Sequence, residues 1–157
     1  VANVTNERTL TTAVLPPRAA WGDKLPAIIL DDIPLDRAAT VLNSLVADYA
    51  VRLRGGGGGG ANLDFHVLKT LPVPPLHVLD RVPAIPSFEA RAGASAYDRE
   101  ELWPDLCAAN LVVAELYGLG EGDLDHILRS FQRFCAQRQG FVRFLRRSLG
   151  RGRPSMG

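Results

Sequence analysis

The sequence predicts a mixed α/β fold of the α+β kind: a small strand-containing unit around one amphipathic helix, followed by a C-terminal helical hairpin. Three observations predict it. Apolar residues from Leu35 to Tyr49 recur at helical spacing, short Val-, Thr- and Leu-rich segments end at prolines, and two further helical patterns flank Gly118 and Gly120. The 157 residues suffice for one domain with a sizeable core or for a domain plus a tail.

In chain order, Arg8 to Val14 alternates weakly, is rich in Thr and Val, and reads as a strand closed by Pro16 and Pro17. A second short strand is expected at Ala27 to Leu30. Asp32 then caps a helix with Pro34 in its first turn. That helix is expected from Leu35 to Leu53, because Leu35, Ala38, Ala39, Leu42, Leu45, Val46 and Tyr49 form one stripe. Asp48, Arg52 and Arg54 fall mainly off the stripe.

Six glycines, Gly55 to Gly60, end the helix, since each costs about 1 kcal/mol relative to Ala in a helix interior. Phe65, Val67 and Leu68 read as a strand ending at the Pro-rich Leu71 to Pro75. Residues 76–97 read as an extended connection. A helix from Asp98 or Pro104 to Tyr117 carries Leu102, Leu106, Ala109, Val113, Leu116 and Tyr117 on one face, and Gly118 and Gly120 end it through positive φ. A further helix opens at Gly122 and Asp123 with Leu124, Ile127, Leu128 and Phe131, so that residues 98–133 make a helical hairpin. Residues 134–157 read as an Arg-rich tail with a disordered end at 150–157.

Charge is strongly segregated. Residues 1–125 hold ten Lys or Arg against all seventeen acids, a net of −7, whereas residues 126–157 hold eight Arg and no acid, a net of +8. A tail of that sign suits phosphate contacts. Compositional bias is the competing account, because Arg outnumbers Lys sixteen to two. No apolar run is long enough to span a bilayer and no signal peptide is evident, so the expected compartment is the cytoplasm and no membrane partner is expected. The chain begins at Val1, as a fragment or processed product would. Cys107 and Cys135 lack metal-ligand spacing and read as reduced core thiols.

Catalytic constellations are missing from the sequence. His66, His77 and His126 have no nucleophile or carboxylate at a recognisable spacing. The glycine run lacks the Gly-Lys-Ser/Thr of a phosphate loop and the strand-to-helix context of a dinucleotide loop. Two readings of it stand: a flexible linker, or a backbone able to approach DNA phosphates closely.

Three blocks carry a family resemblance. The central one holds Leu42-Asn43-Ser44-Leu45, the glycines, Asn62-Leu63-Asp64-Phe65 and Leu68-Lys69-Thr70-Leu71-Pro72-Val73-Pro74-Pro75. Upstream lie Thr5-Asn6-Glu7-Arg8-Thr9-Leu10 and Val14-Leu15-Pro16-Pro17; downstream lie Ala114-Glu115-Leu116-Tyr117-Gly118-Leu119 and Asp123-Leu124-Asp125-His126-Ile127-Leu128. In order and spacing the set resembles the C-terminal target-recognition region of adenine-specific (N6) DNA methyltransferases of type II restriction-modification or phage-defence systems. The resemblance covers roughly residues 3–128 and includes a strand-containing recognition unit over 1–75. The family usually has a two-glycine turn and an Asn-Phe-Phe run where this chain has six glycines and Asp64-Phe65-His66.

The resemblance implies a non-catalytic recognition or clamping segment that acts on double-stranded DNA beside a catalytic domain of the same parent polypeptide. The parent would use S-adenosylmethionine and flip an adenine from the duplex. This chain has no Asn/Asp-Pro-Pro-Tyr/Phe loop, so no cofactor is expected to bind it and no catalytic residue is assigned. The expected DNA-contacting residues are Arg8, Arg52, Arg54, Gly55, Gly56, Asn62 and Lys69. Arg forks onto guanine, Asn onto adenine, and Lys most often meets phosphate. The alternative is that Asn62 caps the loop, Arg8 pairs with Glu7 or a nearby acid, and Lys69 is an ordinary solvated lysine. For the whole chain, the alternative is a non-catalytic structural or protein-interaction domain of a larger assembly, which the acidic first 125 residues favour.

Overall fold

The computed structural model describes residues 7–16, 18, 27–31, 33–54, 65–85 and 96–150. These contain seven α-helices: α1 (Leu35–Leu42), α2 (Leu45–Arg54), α3 (Phe65–Lys69), α4 (Trp103–Leu116), α5 (Glu121–Ser130), α6 (Gln132–Gln137) and α7 (Gln139–Leu149). Short 3-10 turns at Leu76–Arg81, Ala96–Asp98 and Glu100–Leu102 link them.

The described residues are helical, with no β-strand among them and a single bridge residue at Val14, so the mixed α/β expectation is corrected. The three expected strands fail for separate reasons. Arg8 to Val14 is extended, but its backbone is held by side chains: the Thr9 N–H donates to Asp48, and Thr12 exchanges hydrogen bonds with the Asn43 amide at 3.0 Å in both directions. Ala27 to Leu30 is not paired as a strand, and Ile29 is 83% exposed. Phe65 to Lys69 forms a helix because Val67, Leu68 and Leu71 pack at helical spacing against Ala47 and Val51 of α2, extending a small cluster around Leu10. The Thr70 and Leu71 N–H groups close its end on the Val67 and Leu68 carbonyls.

The long helix expected from Leu35 to Leu53 is two helices. Asn43 turns its amide to the Ala39 carbonyl at 2.9 Å, and the Ser44 hydroxyl accepts the Ala47 N–H at 3.1 Å as a cap for α2. The first N–H of α2, on Leu45, donates to Asn110 of α4 at 2.8 Å. The break is therefore satisfied from both sides, and α2 is free to take its own direction.

The hairpin α4–α5 forms around a left-handed Gly118 (φ 72°). Leu119 donates to the Ala114 carbonyl and Gly118 to the Glu115 carbonyl, both at 2.9 Å, the paired bonds of a Schellman turn. Gly120 instead has φ −89° and caps α5, its N–H meeting the Asp123 carboxylate at 2.8 Å. Residues beyond the hairpin fold onto it. Phe131, Phe134 and Phe141 are fully buried, and Tyr97 meets Phe134 and Phe141 edge-on with ring centroids 4.9 Å apart. Each such contact contributes about 0.5–1.5 kcal/mol beyond burial. Gly140 lets α7 approach the Trp103 ring, where a Cβ would stand 2.5 Å from Cη2. No helix among the described residues is long and apolar enough to cross a membrane.

Candidate nucleic-acid interface

The end of α1, the start of α2 and the N-terminal segment enclose a charged centre. Asp48 lies on α2 between Leu45 and Val51 and is 0% exposed. A buried carboxylate needs several donors to offset lost hydration. Asp48 has them: Arg8 Nε at 2.5 Å, the Thr9 N–H at 3.1 Å and Arg52 Nε at 3.2 Å.

Arg8 is committed to this centre through all three of its nitrogens. Nη1 donates to the Tyr97 hydroxyl at 2.7 Å, and Nη2 donates to the Asn43 and Ser44 carbonyls at 2.9 and 3.0 Å. The break between α1 and α2 releases the Asn43 carbonyl, whereas the Ser44 carbonyl also accepts the Asp48 N–H at 3.2 Å, so the guanidinium fills the gap at Asn43 and is a second donor at Ser44. The Arg8 side chain is 7% exposed and lies over the Tyr97 ring. Burial disfavours its charge, but Tyr97 and Asp48 outweigh that and raise its pKa above the ordinary arginine value.

Arg52 is similarly engaged. Its Nη2 donates to the Glu7 carbonyl at 3.1 Å and its guanidinium carbon sits 4.0 Å from the centre of the Phe131 ring. Arg138 completes the seam, donating to both Glu7 carboxylate oxygens at 2.9 Å and to Asp98. The Glu7 bonds, together with Asp98, outweigh burial and raise the Arg138 pKa.

Of the expected DNA-contacting residues, Arg8 and Arg52 thus face inward as structural donors. Arg54 and Lys69 are exposed, at the ends of α2 and α3, two helices that pack together. Arg54 makes a single 3.4 Å hydrogen bond to the Ala50 carbonyl, and Lys69 meets no partner among the described residues. Tyr117 reaches this corner from α4 by donating to the Pro72 carbonyl; burial raises its phenol, with Arg54 opposing. Gly55, Gly56 and Asn62 lie outside the described residues, as does the expected cap Asp32.

Sequence reasoning missed Asp48, Asn110 and Arg138. The signal for Asp48 was present: an acid inside the buried arc of α2 with Arg52 one turn later is the pattern of a paired internal charge. Asn110 gave a weaker signal, a lone amide within an otherwise apolar helix. Nothing local marked Arg138, whose partners are 131 and 40 residues away. Among the described residues no cluster of His, Cys, Asp or Glu could hold a metal ion. Comparison of the chain with known protein families, with curated proteins and with solved structures finds no match.

Proposed function

We propose that the chain is the non-catalytic target-recognition or clamping part of an S-adenosylmethionine-dependent, adenine-specific DNA methyltransferase of a restriction-modification or phage-defence system. The sequence resemblance is the origin of this assignment. One structural observation supports it: the three resembling blocks interlock. Arg8 and Thr9 of the upstream block bond to Asn43, Ser44 and Asp48 in the central stretch, Glu7 accepts from Arg52, and Leu10 packs in one cluster with Leu71. The downstream block docks through the Tyr117 bond to Pro72 and through Leu124, Ile127 and Leu128, which share a core with Leu45. A pattern dispersed over more than 100 residues thereby describes one packed unit.

On this reading Arg54 and Lys69, both exposed, are the cations that meet the duplex, with Arg suited to a guanine edge or a phosphate and Lys to a phosphate. The residues described here do not fit the cofactor. Asp48, the one buried acid among them, is fully engaged by Arg8, Arg52 and Thr9, so it has no capacity left for a cofactor hydroxyl. S-adenosylmethionine would belong to the catalytic part of the parent, and no step of methyl transfer is assigned to this chain.

Fluorescence anisotropy on labelled duplex DNA tests the assignment. Arg54→Ala with Lys69→Ala should reduce the salt slope of log K by about 1.8, two contacts at about 0.9 each. An unchanged slope would remove the α2–α3 corner from the interface. A second reading, a protein-interaction domain, draws on the exposed Leu53 and Val73 near that same corner, 65% and 55% exposed. It takes over if the wild-type chain shows no affinity for DNA.

A further inference from the structure

We propose that α7 carries a second, sequence-independent surface that lies along the phosphate backbone of double-stranded DNA, formed by Arg143, Arg146 and Arg147. This helix lies beyond the segment that carries the family resemblance, and the inference stands on its own geometry.

The helix is strongly two-sided. Phe141, Val142, Leu145 and Leu149 are 0–8% exposed and fix it to the core. Gln139, Arg143, Arg146, Arg147 and Gly150 are exposed, and their spacing of three and four residues places them on the opposite side. Arg143 and Arg147 are therefore stacked one turn apart, about 6 Å along the axis.

Little in the described residues neutralises this face. Asp125 is the one acid bonded to it, and it divides its carboxylate between Arg146 at 3.2 Å and Arg129 at 2.5 Å. Arg143 makes one hydrogen bond, to the Gln139 carbonyl at 3.3 Å, and Arg147 pairs with no acid among the described residues. From residue 126 onward the sequence contains no acid at all. Repulsion between stacked arginines is relieved by a polyanion.

Two other occupants fit less well. An interfacial membrane helix needs its apolar side free to enter lipid, and here that side is the core. A protein interface centres on exposed aromatic or aliphatic residues, and the large apolar residues exposed among the described residues, Leu15, Ile28, Ile29, Leu35, Leu53 and Val73, all lie off α7. A row of guanidinium groups on a helix fixed to the core, with no apolar centre, suits a row of phosphates.

The test uses the full chain and a labelled duplex of about 30 base pairs of arbitrary sequence, titrated between about 50 and about 200 mM salt. Arg143→Gln with Arg147→Gln removes two unpaired charges and keeps the fold, which circular dichroism checks. The slope of log K against log salt should fall by about 1.8, so that wild type loses about 12-fold more affinity than the variant over that range. Arg143→Glu with Arg147→Glu should abolish binding to this duplex. An unchanged slope in the Gln variant, or full binding by the Glu variant, overturns the proposal. Loss with the α7 variants but not with Arg54→Ala and Lys69→Ala leaves this surface standing and removes the α2–α3 corner; the reverse result removes α7 alone.

Discussion

Replacing Asp48 by alanine should destabilise the fold by about 3–5 kcal/mol, the cost of breaking a buried ion pair from one side. The magnitude follows from what remains behind. The Arg8 side chain is 7% exposed and stays charged, because an arginine guanidinium does not deprotonate in proteins. It keeps Tyr97 and two carbonyls as acceptors but loses its only carboxylate, 2.5 Å away. The Thr9 N–H loses its acceptor as well, a further about 1–3 kcal/mol if no water replaces it. Against a typical total of about 5–15 kcal/mol this is a large fraction. With a urea slope of about 1–3 kcal/mol per molar, the unfolding midpoint should fall by roughly 2 M. Asp48→Asn, which retains one acceptor oxygen, should cost less. Arg8→Met combined with Asp48→Leu should recover only the part of the loss due to the stranded Arg8 charge, since Arg52 Nε and the Thr9 N–H still lose their carboxylate. Urea unfolding followed by circular dichroism measures all of these. A loss below about 1 kcal/mol for Asp48→Ala would mean that the pair is hydrated like a surface one and would refute the account of a desolvated hub.

Three further expectations concern other parts of the fold. Gly140→Ala places a methyl group 2.5 Å from the Trp103 ring, so it should cost about 1–3 kcal/mol and shift tryptophan fluorescence; an unchanged Tm would show that α7 is not held against Trp103. Burial raises the thiol pKa of Cys107, with Ser148 opposing, and of Cys135, with Arg146 opposing, so both should resist a thiol reagent at neutral pH until the chain is unfolded in urea; rapid labelling of the native chain contradicts this. At Asp125 burial acts to raise the carboxyl, but Arg129 and Arg146 outweigh it and hold its pKa below the ordinary 3.8. Its stabilising contribution is therefore complete above that value and is lost as pH falls through the depressed pKa. The difference in urea midpoint between wild type and Asp125→Asn should be present at pH near 7 and vanish in strong acid, and a difference that persists in acid would assign it to something other than charge.

The helical hairpin was legible because its signals are local: a long, mostly apolar run in α4, a 3.6-residue apolar period in α5 and a glycine at the one turn that needs positive φ. The strands were misread for the opposite reason. Thr-Leu-Thr-Thr-Ala-Val has strand-like composition, but its docking partners are the side chains of Asn43 and Asp48, about 30–40 residues away, and composition cannot announce a side-chain partner. The break at Asn43 and Ser44 was visible as two residues that compete with the helical backbone, yet the apolar stripe runs straight through them. The Arg-rich segment looked like a tail until Phe134, Phe141 and Leu145 were placed in the core. For the interface, residue type alone could not separate Arg8 and Arg52, drawn inward by Asp48, from Arg54 and Lys69, which have no such anchor.

Selection of bound sequences from a randomised duplex pool tests the recognition assignment most directly. If this chain reads a methylation target, wild type should enrich a defined adenine-containing sequence, and Arg54→Ala with Lys69→Ala should enrich none. A wild-type pool that stays random after repeated rounds, or a variant pool identical to the wild-type one, would contradict a recognition role centred on the α2–α3 corner.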